Sequence, residues 1–266
     1  MLNISGQKDP IIKLIRDLQK EEGRINKRLY FCEGNELVKR AFTFGQLPEY
    51  VIITEKYTSI NESLDIVSLA DSANVPIYLC SEGLLNKILN SKPTPECIAV
   101  LKRQTSSLDD ILSVENPFIM MVENCENQDN LGMLLRTTDA VGVSSVLLSG
   151  DTVDPFSRRV VRGSRGAVYT VPICIHKNTS DCIKQAKTKD IQIIATSANT
   201  ETFYTSIDFT KPSIIVVGNE HTGISEEVRN TADKTVKIPM LGKINSLNIA
   251  VAASIMMYEV VRQRKK

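Results

Sequence analysis

The apolar side chains fall into a repeated alternation of helical and strand-like spacing. Asp9-Pro10 reads as an N-cap followed by proline at the first helical position, and Ile11, Ile12, Ile15 and Leu18 continue at helical intervals. A short apolar run at 29–32 predicts a strand, 36–44 a helix stopped by Gly45, 50–54 a strand, 61–73 a helix, and 77–80 a strand; a helix after Ser81 and a strand at 98–101 complete the series. Residues 102–115 are polar and turn-rich, as at a domain boundary. Further strands are predicted at 118–122, 146–148, 168–171, 191–195, 214–217 and 236–238. Several are unbroken apolar runs of the kind buried on both faces, which predicts a parallel sheet. The last helix, 247–264, carries Ile249, Ala250, Ala252, Ala253, Ile255 and Met256 around most of its circumference before turning basic, so burial is expected, with a second subunit as one candidate cover. The expected organisation is two α/β domains, 1–105 and 106–266.

Composition narrows the class further. A 42% hydrophobic and 24% charged content is that of an ordinary globular chain. No apolar run approaches the roughly 18 residues that span a bilayer, and residues 1–20 are amphipathic rather than a signal peptide, so the expected location is the cytoplasm, without a membrane partner. Six scattered cysteines form no CxxC pair, and there are only two histidines; Cys174 and His176 share a strand face but lack a third ligand, so no metal is expected. A net charge of +1 argues against indiscriminate coating of nucleic acid, and any RNA contact must be local. Two clusters qualify, Arg158, Arg159, Arg162 and Arg165 within eight residues that contain no acid, and the tail Arg262-Gln-Arg264-Lys265-Lys266. A solvated surface is the ordinary explanation of both.

In an open parallel sheet ligands bind at the carboxyl ends of the strands, and three strand-end segments are rich in polar residues. The first, 123–137, holds Asn130, Gly132 and Arg136 and runs into a helix that Gly142 stops; Asn130 is a candidate cap of that helix. The second, 214–225, ends a strand at Gly218 and continues through Glu220 and Gly223 to a helix beginning near Ser225. Its glycines have the spacing of a phosphate loop, but Ile224 stands where such a loop needs Lys and Glu220 would repel phosphate, so a cationic or hydroxyl-bearing ligand suits it better. The third, 238–248, leaves a strand through Pro239 and Gly242 and enters the last helix by Ser246 and Asn248, with Ser246 a natural N-cap. No GxGxxG follows any predicted strand, which argues against a dinucleotide-dependent oxidoreductase, and the missing Lys argues against an NTPase.

In this order and at these separations the segments resemble the three motifs of the SpoU (TrmH-type) family of RNA ribose 2′-O-methyltransferases. Asn130-x-Gly132-x-x-x-Arg136-Thr resembles the first, Gly218-x-Glu220-x-x-Gly223-Ile-Ser the second, and Ile238-Pro-Met with Ser246-Leu-Asn248 the third. Residues 153–157 and 161–166 are similar to the family's linking segment, and the first hundred residues, with Glu33-Gly-Asn-Glu-Leu-Val, are similar to its accessory RNA-binding domain.

The resemblance implies an α/β fold in which a C-terminal parallel-sheet methyltransferase domain is knotted as a trefoil, preceded by a small N-terminal α/β RNA-binding domain. It implies S-adenosylmethionine as cofactor, held by Thr196, Gly218, Ile238, Met240 and Leu247, and a catalytic set of Asn130, Arg136, Glu220, Ser246 and Asn248. Arg136 would be a general base or, because guanidinium normally stays protonated, a clamp on RNA phosphate. RNA contact is expected from Arg158, Arg162 and Arg165, and homodimers joined partly through the last helix are implied. The separate N-terminal domain favours ribosomal RNA, in particular large-subunit RNA, as substrate; the alternatives are the same reaction on transfer RNA and a non-catalytic RNA-binding protein.

Overall fold

The computed structural model describes residues 1–59 and 64–265. It divides into two compact units, Met1–Gln104 with Phe156–Tyr169, and Thr105–Pro155 with Thr170–Lys266.

The first unit contains a mixed sheet of β1 (Leu2–Asn3), β2 (Leu29–Glu33), β3 (Tyr50–Thr54), β4 (Ile77–Cys80) and β5 (Cys97–Lys102), in the order β1-β4-β3-β5-β2. β1, β4 and β3 are parallel; β5 pairs antiparallel with β3 and β2. Its helices are α1 (Pro10–Leu18), α2 (Glu21–Lys27), α3 (Asn35–Thr43), α4 (Glu55–Ser59), α5 (Leu64–Ser72) and α6 (Glu82–Leu89). Asp9 caps α1 as its spacing predicts, accepting from the Ile11 N–H at 2.9 Å. The stripe Ile12, Ile15 and Leu18 is fully buried and packs with Phe31, Ile52, Leu85 and Ile98. Of the helix expected at 61–73, residues 61–63 lie outside the described residues, and α5 is the remainder.

The second unit has six strands, β6 (Phe118–Glu123), β7 (Ser145–Ser149), β8 (Ile173–His176), β9 (Gln192–Thr196), β10 (Ser213–Val217) and β11 (Lys234–Val236), in the order β11-β9-β10-β6-β7-β8. Every pairing is parallel, as the unbroken apolar runs predict. Ile119, Met121, Ile214 and Val216 are buried in one cluster from the central strands β6 and β10. From β6 the chain steps outward to β7 and β8, then returns on the far side to β9 and β10, so the switch of direction lies between β6 and β10, where the loops part and a crevice opens. The helices are α7 (Leu108–Leu112), α8 (Gln128–Val141), α10 (Thr179–Thr188), α11 (Glu226–Thr231) and α12 (Ile249–Arg264), while α9 (Arg158–Gly163) belongs to the first unit.

Four differences from the sequence reading have physical causes. The polar stretch at 102–115 contains α7, because Ser107 and Asp110 form a reciprocal capping box; the capping residues themselves had the look of a turn. The strand expected at 168–171 is a 3-10 turn, Ala167–Tyr169, and the strand follows Pro172 as β8; the apolar side chains at 167–169 are buried without sheet pairing. The last strand is Lys234–Val236, earlier than 236–238. The last helix begins at Ile249, two residues later than expected, because its cap is Asn248 and not Ser246.

The segment 156–169 joins the first unit through specific bonds. Arg158 pairs with Glu33 at 2.8 Å and donates to the Leu89 carbonyl at 2.7 Å, and Arg165 pairs with Glu36 at 2.9 Å. The Phe156 ring lies 4.9 Å from that of Tyr30. The basic tail is likewise engaged: Arg262 pairs with Glu259 at 2.7 Å, and Arg264 donates to the carbonyls of Phe209, Asn116, Pro117 and Lys211. These arginines fasten the end of α12 rather than form a free basic face.

Candidate active site

β6 ends at Glu123, and the chain turns at Asn124, whose φ of 52° is a left-handed conformation that Asn tolerates. Asn127, not Asn130, caps α8: its Oδ1 accepts from the N–H groups of Asp129 and Asn130 at 2.8 and 3.2 Å. The Asn130 side chain is thereby left for partners on the other strand-end segments. Its Nδ2 donates to Glu220 Oε1 at 2.9 Å, and its Oδ1 accepts from Asn248 Nδ2 at 2.8 Å. Asn248 in turn uses its Oδ1 to cap α12, accepting from the Ala250 and Val251 N–H groups.

The direction of this relay is forced. The helix end demands an acceptor, so Asn248 must present its amino group to Asn130, and Asn130 must then present its own amino group to Glu220. Three strand-end segments, separated by 90 and 118 residues of sequence, are joined by two hydrogen bonds.

Glu220 stands in the loop after β10. Gly218 opens that loop because nothing larger fits: a Cβ there would lie 2.1 Å from the Gly223 carbonyl carbon. Asn219 and Gly223 exchange two backbone hydrogen bonds of 2.9 Å, closing the loop on itself. The Asn219 Oδ1 accepts from the His221 and Thr222 N–H groups, and its Nδ2 donates to the Asn124 carbonyl at 2.8 Å and to Glu126 Oε1 at 3.0 Å. Glu123, which is 2% exposed, accepts from the Ser225 N–H and hydroxyl at 2.8 and 2.7 Å. Ser225 caps α11, where its spacing placed the start of a helix.

Burial alone would push the Glu220 carboxyl up, but hydrogen bonds from Asn130, Cys125 and the Glu126 N–H, with its own N–H, hold it below the ordinary carboxylate range. Cys125 donates to Glu220 Oε1 at 3.4 Å. Burial, with the Glu220 charge added, pushes its thiol up to about 12, so it stays protonated and remains a donor. With every one of these donors on its oxygens, Glu220 is a fixed anion and a weak base.

Beside this network lies a cavity of about 290 Å³. Thr196, Gly218, Ile238, Met240 and Leu247 all line it, together with Glu220 and Ser246. Asn130 and Asn248 stand behind Glu220 and are not in the lining. Arg136 is not in the lining either: it lies six residues beyond Asn130, about 240° further round the helix at 100° per residue, exposed and without a hydrogen bond or ion pair among the described residues. Of the three arginines expected to meet RNA, Arg158 and Arg165 are paired as above, and Arg162 is exposed.

Asn127, Asn219, Glu123 and Cys125 went unrecognised in the sequence. The only signal for Glu123, Cys125 and Asn127 is the density of polar residues in 123–130, and for Asn219 its place between Gly218 and Glu220. Among the described residues no group of three side chains could hold a metal ion, and no helix is long and apolar enough to cross a membrane.

The sequence pattern of the SpoU rRNA Methylase family matches residues 117–258, more than half of the chain. An uncharacterized tRNA/rRNA methyltransferase of Synechocystis is 29% identical over 98% of this chain and 94% of its own length. The crystal structure of an AdoMet-bound rRNA methyltransferase from Sinorhizobium meliloti is similar with a TM-score of 0.87 and 28% identity, over 98% of this chain and 97% of that one. An RNA 2′-O ribose methyltransferase structure is similar over 100% of both chains, with a TM-score of 0.81 and 28% identity.

Proposed function

The chain belongs to the SpoU rRNA Methylase family, and we propose that it transfers the methyl group of S-adenosylmethionine to a ribose 2′-hydroxyl of ribosomal RNA, in the large subunit. The observation that carries the reading is the relay Asn248–Asn130–Glu220 at the edge of a cavity lined by Thr196, Gly218, Ile238, Met240 and Leu247. The lining suits the cofactor. Val217, Val236, Ile238 and Leu247 offer an apolar surface to a planar base, and Gly218 brings backbone close without a side chain. Glu220 supplies one fixed negative charge beside a ligand whose reactive centre is cationic.

When bound, S-adenosylmethionine supplies an electrophilic methyl group on sulfur. The protein has to align a poor nucleophile with it and assist loss of the hydroxyl proton. The relay fixes the floor of the site rather than moving a proton, since Asn130 and Asn248 are fully committed and Glu220 is a weak base. The Ser246 hydroxyl lines the cavity and is available to the ribose. Arg136 is assigned to the RNA: a guanidinium stays protonated and holds a phosphate or the ribose oxygen without needing to act as a base. Arg162 is the leading RNA contact of its cluster, because its charge is not spent on Glu33 or Glu36.

The reading includes the trefoil threading of the C-terminal stretch, a cytoplasmic location, and a homodimer. For the dimer the support is an apolar surface on the paired helices α8 and α12. Ser254 meets Thr137 at 3.2 Å, and Met133, Val251 and Tyr258, one turn away on the same stripes, are 52, 42 and 55% exposed. For ribosomal RNA the support is that the Sinorhizobium rRNA enzyme is similar along both units and not along the catalytic half alone.

The test is transfer of tritiated methyl from S-adenosylmethionine to purified ribosomal and transfer RNA, with Arg136→Ala alongside and reverse-transcription stops to locate the product. Label in large-subunit RNA that Arg136→Ala removes is expected. Label confined to transfer RNA would change the substrate, and no label in any RNA from folded protein would overturn the reading.

A further inference from the structure

The loop after β10 has the outline of an anion-binding loop, yet five of its N–H groups are spent within the protein. The N–H groups of His221 and Thr222 go to the Asn219 side chain, those of Asn219 and Gly223 to each other's carbonyls, and that of Ser225 to Glu123. An anionic group entering the cavity is therefore held by lining side chains, and among those a cation gives the stronger, charge-assisted bond. Among the lining residues the fully ionised cation is Arg229. It lies on α11 one turn past the cap Ser225, and a helical side chain leans toward the N-terminus of its helix, which carries Arg229 back over the first turn toward the 218–225 loop. It is exposed and makes no hydrogen bond or ion pair among the described residues, although Glu226 and Glu227 share its helix. Glu220, the acid in the lining, already accepts from Asn130 and Cys125 at Oε1 and from the Glu126 N–H at Oε2, and forms no ion pair with Arg229.

S-adenosylmethionine carries one anionic group, the carboxylate of its amino-acid end. We propose that Arg229 binds this carboxylate, as a planar fork facing a planar anion, and so makes the site selective for a cofactor that retains its amino-acid end intact. The inference rests on the functional reading above and deepens it. It assigns Arg229 to cofactor recognition, apart from the Asn248–Asn130–Glu220 relay and apart from the chemistry of transfer.

Isothermal titration of the full chain with S-adenosylmethionine and with decarboxylated S-adenosylmethionine, without RNA, tests it directly. The wild-type protein is expected to prefer the intact cofactor by about tenfold, the size of one charge-assisted pair at a partly exposed site. Arg229→Gln is expected to weaken the intact cofactor by that factor, leave the decarboxylated one unchanged and bring the ratio close to one, while Arg229→Lys retains part of the preference. Arg229 is exposed, and an unchanged melting temperature checks that the variants fold. A preference that survives Arg229→Gln overturns the inference while leaving the functional reading intact; if the same variant instead weakens RNA binding, Arg229 is an RNA contact. Failure of the wild-type protein to bind either compound would overturn the functional reading itself, and this inference with it.

Discussion

Each unit of the chain carries parallel strands whose carboxyl ends open onto polar loops, but only one of them assembles those loops into a network. In the first unit β1, β4 and β3 end near Asn3, Ser5, Gln7, Glu55 and Ser81, which border a groove. The side-chain hydrogen bonds there are local: Ser5 to Asp9 four residues away, Leu84 to Ser81 three, and Arg16 to Gln7 nine. In the second unit the bonds at the strand ends reach across 90, 95 and 118 residues, from Asn130 and Cys125 to Glu220 and from Asn248 to Asn130. Sheet topology accounts for the difference. All six strands of the second sheet are parallel, so every following loop emerges at one edge, whereas β5 runs against the other four strands of the first sheet and sends its loop to the opposite edge. Polar residues that can be satisfied by a neighbour in sequence become caps, and those that must be satisfied from another strand become a site.

The largest effect is expected at Gly218. Its Cβ would meet the Gly223 backbone at 2.1 Å, and backbone cannot step aside as a side chain can. Gly218→Ala should cost about 3 kcal/mol, as overpacking against fixed structure does, and cofactor binding measured by calorimetry should fall by more than about a hundredfold as the lining shifts. Retained binding would show that the loop is more adaptable than its paired Asn219 and Gly223 indicate.

Next comes the relay. Asn130→Ala takes one of its donors from Glu220 and leaves the Asn248 amino group without its acceptor, and should cost about 1–3 kcal/mol in urea denaturation, with methyl transfer down about a hundredfold. Glu220→Gln combined with Asn130→Ala should cost less than the two single losses together, since the residues share one bond; strict additivity would mean that the relay is not a unit. The relay also carries a pH signature. Glu220 is held below its ordinary value in the folded state, so its contribution is complete above the unfolded carboxylate pKa of about 4.3 and is lost as pH falls through the lower folded value. Denaturation midpoints taken between neutral and acidic pH should show that acid limb in the wild type and a shallower one in Glu220→Gln.

The smallest effect belongs to the first unit. Ser81 caps α6 by accepting from the Leu84 N–H at 3.3 Å, so Ser81→Ala should cost about 1 kcal/mol, the worth of an N-cap. Cofactor affinity and methyl transfer should not change. A loss comparable to that of Asn130→Ala would give the groove of the first unit a part in the reaction and erase the contrast between the two sheet edges.

Much was legible in the order of residues alone. Apolar periodicity fixes where the strands and helices run, because burial selects one face of an element whatever its distant neighbours are. Thus 50–54 is a strand, 214–217 lies in a parallel sheet, and Asp9, Ser225 and Gly142 punctuate helices as their chemistry requires. The segments around Asn130, Glu220 and Asn248 could be picked out as strand-end loops on the same grounds. What only the tertiary structure decided is which polar group each residue satisfies. Asn127 caps α8, which leaves Asn130 for Glu220; Asn248 caps α12, which leaves Ser246 on the cavity; Arg158 and Arg165 pair with Glu33 and Glu36 in the first unit, and Arg136 faces away from Asn130. Those choices depend on partners about a hundred residues distant. Hydrophobic burial follows composition and spacing, but a hydrogen bond is directional and short, so its partner is settled only when the chain has brought the two groups within about 3 Å of each other.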